Sequence, residues 1–89
     1  QRTKPLRDAI TRDEKTINSA QTRLIEIENT LLDTSLYNAE NKAQLTALLQ
    51  EQGELQLNIN EAEEAWFTAQ DELETQQEMF EKQLHEELQ

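Results

Sequence analysis

Two series of apolar residues at heptad spacing, separated by one short interruption, constrain this chain more than any other feature. In the first, Leu6, Ile10, Asp13, Ile17, Ala20, Leu24, Ile27 and Leu31 follow one another at gaps alternating between four and three. After a break around Asp33-Thr34-Ser35-Leu36-Tyr37-Asn38 the alternation resumes as Leu45, Leu48, Gln52, Leu55, Ile59, Ala62, Trp66, Ala69, Leu73, Gln76 and Phe80. That spacing is the seam of a coiled coil, since a strand would alternate every second residue. Two long helices with a short connection are expected to fold back on one another. The predicted fold is all-α, a two-helix antiparallel coiled-coil hairpin whose second helix is the longer.

The composition agrees with that pattern. Glu, Gln, Leu and Ala dominate, and the 89 residues include one Gly and one Pro, so helix formers fill both segments. A seam of this kind encloses no central core, and the isolated domain is expected to be marginally stable or to be supported by association. Without cysteine there is neither a disulfide framework nor a thiolate metal site. No apolar run reaches the length of a membrane span and no signal-peptide pattern opens the chain, so a cytoplasmic setting is expected. Residues 1–89 are read as a single domain and as a fragment of a larger protein.

The formal net charge is −11, which argues against a grip on nucleic-acid phosphates or an anionic bilayer by the domain as a whole. DNA binding is therefore doubtful. The distribution is uneven. Residues 1–33 carry six basic and six acidic side chains, whereas residues 34–89 carry two basic and thirteen acidic ones. In an antiparallel pairing the Lys and Arg residues concentrated in the first helix lie beside the acidic second, which favours that arrangement over two like-charged strands.

Helix 1 is expected over about 5–32. Pro5 fits either its first turn or a kink in a helix that starts upstream. The loop is expected at about 33–38, where Asp, Thr, Ser and Asn side chains compete with the helix for backbone groups. Asn38 is the expected N-cap of helix 2, which should run over about 39–87, roughly 70 Å at ~1.5 Å per residue. Leu36 and Tyr37 are expected to fold back and plug the open end of the seam, the other reading of Tyr37 being surface recognition. Folding about the loop sets Leu31 opposite Leu45, Leu24 opposite Gln52, Ile17 opposite Ile59 and Ile10 opposite Trp66. Helix 1 then runs out near residue 70 of helix 2. For residues 73–88, which keep Leu73, Phe80, Leu84 and Leu88, either upstream sequence extends helix 1 over them, or the tail docks on a neighbouring domain, or it self-associates. The chain by itself is expected to dimerise weakly through this stretch or to fray there. Gly53 marks a bend, a close approach of the other helix, or simple tolerance. Asp13, Gln52 and Gln76 are polar seam positions that fix register.

Residues suited to catalysis are sparse. No glycine-rich phosphate loop is present, and the single His, His85, stands near a helix C-terminus where a cation is mildly favoured. No catalytic, cofactor-binding or metal-binding residue is assigned. Glu61, Glu63 and Glu64 read as a solvated face rather than a metal site. Trp66, with Leu24 and Ile59, is assigned to the seam, and Phe67 beside it to a partner contact. Arg12, Lys15 and Arg23 share the outer face of helix 1. They form either a small phosphate-contacting stripe or intramolecular pairs, such as Arg23 with Glu51.

Three stretches together resemble a known family. They are Pro5-Leu6-Arg7, then Asp33-Thr34-Ser35-Leu36-Tyr37 followed by Lys42-Ala43-Gln44-Leu45-Thr46-Ala47-Leu48-Leu49-Gln50, and finally Glu64-Ala65-Trp66-Phe67-Thr68-Ala69-Gln70-Asp71-Glu72-Leu73. In this order they are similar to the C-terminal extension of the ABC-F family of ATP-binding cassette ATPases, most closely the YheS type. The resemblance implies a parent with two cassettes that bind ATP and Mg upstream of this chain, no membrane span, and a role as a translation factor on the ribosome. It implies a coiled-coil interaction module here, without catalytic residues or cofactor of its own, whose partner is the ribosome or the parent's own ATPase domains. Some relatives carry a basic extension that binds nucleic acid, and the acidic second helix departs from that pattern. The alternatives are a nucleic-acid-binding tail working through helix 1 and a plain structural or oligomerisation coiled coil.

Overall fold

In the computed structural model, residues 3–88 are described, and among them there are helices and no strands. The chain is all-α. Helix α1 spans Lys4–Leu31 and helix α2 spans Lys42–Leu88, joined by two short 3-10 turns at Thr34–Tyr37 and Ala39–Asn41. The molecule measures 75 × 16 × 15 Å, with a radius of gyration of 20.9 Å. A compact domain of this length would have a radius of gyration of about 12 Å, so the chain is a rod. Its long dimension is set by α2, whose 47 residues account for roughly 70 Å at ~1.5 Å per residue.

The two helices pack along one another. Two side-chain bridges join them, Arg23 to Glu51 and Trp66 to Glu14. Arg23 and Glu51 each stand one residue before Leu24 and Gln52, the positions expected opposite one another. Ile10, Ala20 and Ile27 of α1, with Ile59, Ala62 and Ala69 of α2, are the buried residues of the two helices. All six lie on the heptad series. The remaining heptad positions up to Gln76 are half-buried, Leu24 and Trp66 included. Protection ends there: Phe80 is 64% exposed, and every described residue from 77 onward is exposed. The second series therefore extends beyond the packed region at Phe80, because α1, with 28 residues, has run out.

Pro5 occupies the first turn of α1, where it costs no intrahelical hydrogen bond. The other end closes without a glycine. The Leu32 and Asp33 amides donate to the carbonyls of Asn29 and Thr30 at 3.3 and 3.1 Å, tightening the last turn to 3-10 geometry. Asp33 then adopts an extended backbone, and its Oδ1 accepts from the Ser35 amide and the Ser35 hydroxyl at 3.0 and 2.8 Å. This Asx turn ends α1. The hydrogen bonds from Ser35 hold the Asp33 carboxyl below its ordinary range.

The entry to α2 differs from the sequence expectation. Asn38 is extended and makes no side-chain cap. The first regular α-helical residue is Lys42, after the Ala39–Asn41 turn. The stabilising amide belongs to Asn41, whose Nδ2 donates to the Ser35 carbonyl at 2.8 Å. Asn41 thus ties the second turn to the first. Leu36 is buried, at 4% exposure, but Tyr37 is 59% exposed. The plug is Leu36 alone. Tyr37 lies on the outside, where its hydroxyl donates to the Leu31 carbonyl at 2.8 Å and holds the loop against one of the free carbonyls that end α1.

Gly53 lies mid-helix, and a Cβ added to it would meet nothing within 4 Å. No close approach of α1 accounts for it. Replacing it with alanine removes only the conformational freedom of glycine in the unfolded chain. Gly53→Ala is expected to stabilise the chain by about 1 kcal/mol, read as a higher urea midpoint with an unchanged slope.

Candidate interaction surface

The basic residues of α1 divide into two groups. Arg23 is engaged: its Nε donates to Glu51 Oε2 at 2.7 Å, its Nη2 to Glu51 Oε1 at 2.8 Å, and its Nη1 to Glu26 Oε2 at 3.1 Å. The forked contact with Glu51 matches the planar guanidinium to both carboxylate oxygens. The intramolecular pairing named from the sequence is therefore the one that occupies Arg23. Arg12 and Lys15 are exposed, and neither is in an ion pair with another described residue. The three side chains do not act as one free cationic stripe, because the one nearest the loop is neutralised.

The Arg23 fork also biases titration. Hydrogen bonds from Arg23 hold the Glu51 carboxyl below its ordinary range, and the same contacts raise the Arg23 pKa. A carboxylate whose pKa falls on folding contributes stability above its unfolded pKa and loses it as pH falls through the lowered folded value. Glu51→Gln is accordingly expected to lower the Tm modestly at neutral pH, because the contact is partly solvated. The gap from the parent chain should close as pH falls through and below the carboxylate range. It should also shrink with added salt at neutral pH. A gap that persisted unchanged in acid would show that Glu51 acts through packing alone.

The aromatic pair of α2 straddles the seam edge. Trp66 is half-buried, and its indole Nε1 donates to Glu14 Oε2 at 3.2 Å. Phe67 stands outside, 65% exposed, edge-on to Trp66 at 5.1 Å between ring centroids and 77° between planes. Heptad spacing places Trp66 on the seam but says nothing of Glu14, whose carboxylate reaches the ring from the other helix. The Glu61, Glu63 and Glu64 carboxylates remain on the wet face. No group of three or more His, Cys, Asp or Glu among the described residues is arranged to hold a metal ion.

Four of the exposed large apolar residues lie at the far end. Met79, Phe80, Leu84 and Leu88 are all exposed on a stretch of α2 that remains helical to Leu88. Tyr37 and Leu32 give a smaller exposed apolar surface at the loop end. No helix among the described residues is long and apolar enough to cross a membrane.

Over 42 residues the chain is 55% identical to the probable ATP-binding protein YheS of Haemophilus influenzae, a stretch covering 47% of this chain and 7% of that protein. The match supports a relation to the ABC-F family. The chain thus matches only a small part of this relative's length. No family profile matches the chain, and no solved structure does.

Proposed function

We propose that this chain is the coiled-coil C-terminal extension of an ABC-F ATPase, folded as an antiparallel hairpin and acting as a non-catalytic interaction module. The observation that carries the reading is the 55% identity over 42 residues to an ATP-binding protein of which the matched stretch is only 7%. ATP and Mg would be held by cassettes elsewhere in the parent, and this hairpin would engage the ribosome in the cytoplasm or brace the parent's own cassettes. The rod shape supports a contact role, since a helix pair of this length spans a distance without enclosing a substrate. The cross-helix bridges at Arg23 and Trp66 support the antiparallel pairing.

The test is co-sedimentation of the full-length parent with ribosomes, with and without residues 1–89, alongside ATP hydrolysis. Removing the module should lower ribosome occupancy or ribosome-dependent ATPase activity while leaving ATP binding intact. Equal occupancy and unchanged activity would point instead to a purely structural coiled coil. The exposed, unpaired Arg12 and Lys15 keep a nucleic-acid-binding tail as the second reading. Salt-sensitive binding of short DNA or RNA that is lost in an Arg12→Ala, Lys15→Ala double variant would support it, and no binding at low salt would eliminate it.

A further inference from the structure

The free end of α2 continues a packed surface. Ala69 is buried, Trp66, Leu73 and Gln76 are half-covered, and from 77 onward the described residues are bare. The apolar series does not stop with the cover. At about 100° per residue, Leu73, Phe80, Leu84 and Leu88 fall within an arc of about 80°. Gln76 marks the exit, and its Oε1 is buried without a hydrogen-bond partner among the described residues.

The flanks of this stripe are acidic. Glu74 and Glu81 border one side, and Glu72 and Glu87 the other. Lys82, the one basic residue among positions 71–88 other than His85, falls on the opposite side of the helix. A second copy of the chain would bring like charges together along both flanks, which opposes pairing. Nucleic acid and anionic lipid are opposed by the same sign. The helix that already packs on α2 is amphipathic and meets it with one forked cationic contact, Arg23 to Glu51, and the acidic flanks of the tail favour an occupant that brings the same kind of charge. Where α1 ends, the acidic, apolar face of α2 goes on unchanged.

We propose that residues 73–88 form a docking face for a basic amphipathic helix of a partner protein, which extends the α1–α2 seam. Its apolar residues would seat on Leu73, Phe80 and Leu84. Its Lys or Arg residues would lie along Glu74 and Glu81. This inference rests on the tail itself and stands whether or not the parent binds ribosomes.

The probe is a labelled three-heptad peptide with Leu at the a and d positions and Lys at e and g, whose own dimerisation the lysines suppress. It is titrated into the 89-residue chain by fluorescence anisotropy at low salt, beside a peptide with Glu at e and g. The lysine peptide should bind and the glutamate peptide should not, with binding weakening as salt rises. Phe80→Asp with Leu84→Asp should abolish binding while leaving far-UV circular dichroism unchanged, since both side chains are exposed. Glu74→Lys with Glu81→Lys should weaken it by about tenfold or more. Failure of the lysine peptide to bind, or equal binding of both peptides, would overturn the proposal. So would sedimentation showing that the unmodified chain pairs with itself through the tail.

Discussion

Ile27→Ala is expected to be among the most destabilising single truncations in this chain, costing about 2–5 kcal/mol. Among the described residues, Ile27 is the one large side chain that is fully buried, at 0% exposure. Truncating an isoleucine loses the transfer free energy of the removed carbons and leaves a void that the surroundings fill only in part. A two-helix rod has no second layer to move into such a void. Ile25 supplies the control. It has the same side chain two residues away on the same helix, but is 58% exposed. Ile25→Ala should lie within about 0.5 kcal/mol of the parent chain, as surface substitutions do. Urea unfolding followed by far-UV circular dichroism measures both. Equal losses at the two positions would mean that α1 does not present Ile27 to α2. Because the rod is expected to be marginally stable, the Ile27 variant is expected to be largely unfolded at 37 °C.

That contrast shows why the helical arrangement was legible in the sequence. Ile25 and Ile27 are chemically identical, and only their place in the four-three alternation separates them. Ile10, Ala20, Ile59, Ala62 and Ala69 were legible on the same ground, because one face of a helix recurs at that spacing. The connection was legible only as a connection. Its Asp, Thr, Ser and Asn signal a loop, but which amide finds which carbonyl depends on backbone geometry that composition does not encode. Asn38 was the better cap by position, yet Asn41 makes the bond to Ser35. Tyr37 is apolar enough to be read as a plug, yet its hydroxyl finds the Leu31 carbonyl and its ring stays outside. The interaction surface divides similarly. Arg23 with Glu51 could be anticipated from complementary charge on facing helices. Glu14 with Trp66 could not, since it is a diagonal contact set by side-chain rotamers. For the exposed tail, this chain supplies only the shape and charge that the proposed docking helix must match.

Leu36→Ala is the second large effect expected, about 2–3 kcal/mol, toward the lower part of the range for burying and then deleting a leucine side chain. Leu36 is the buried residue of the connection, at 4% exposure, and its turn packs on α2. Its amide donates to the Asp33 carbonyl at 3.1 Å, so the turn that ends α1 also presents the side chain to the seam. Removing that side chain opens the loop end of the rod to water. Backbone hydrogen bonds from Asn38 and Asn41 hold the turns in place, and the Tyr37 tether is untouched. The loss should therefore be of packing and not of turn geometry. Leu32 gives the matched comparison, since it is four residues away and 78% exposed, and Leu32→Ala should be nearly silent. Amide exchange separates local from global loss. If Leu36 closes the whole seam, protection should fall at Ile27 and Ile59 as well as in the loop. If protection fell only within 33–41, the connection would be a separate, weakly coupled cap, and the helices would owe their pairing to Ile10, Ala20, Ile27 and their neighbours alone.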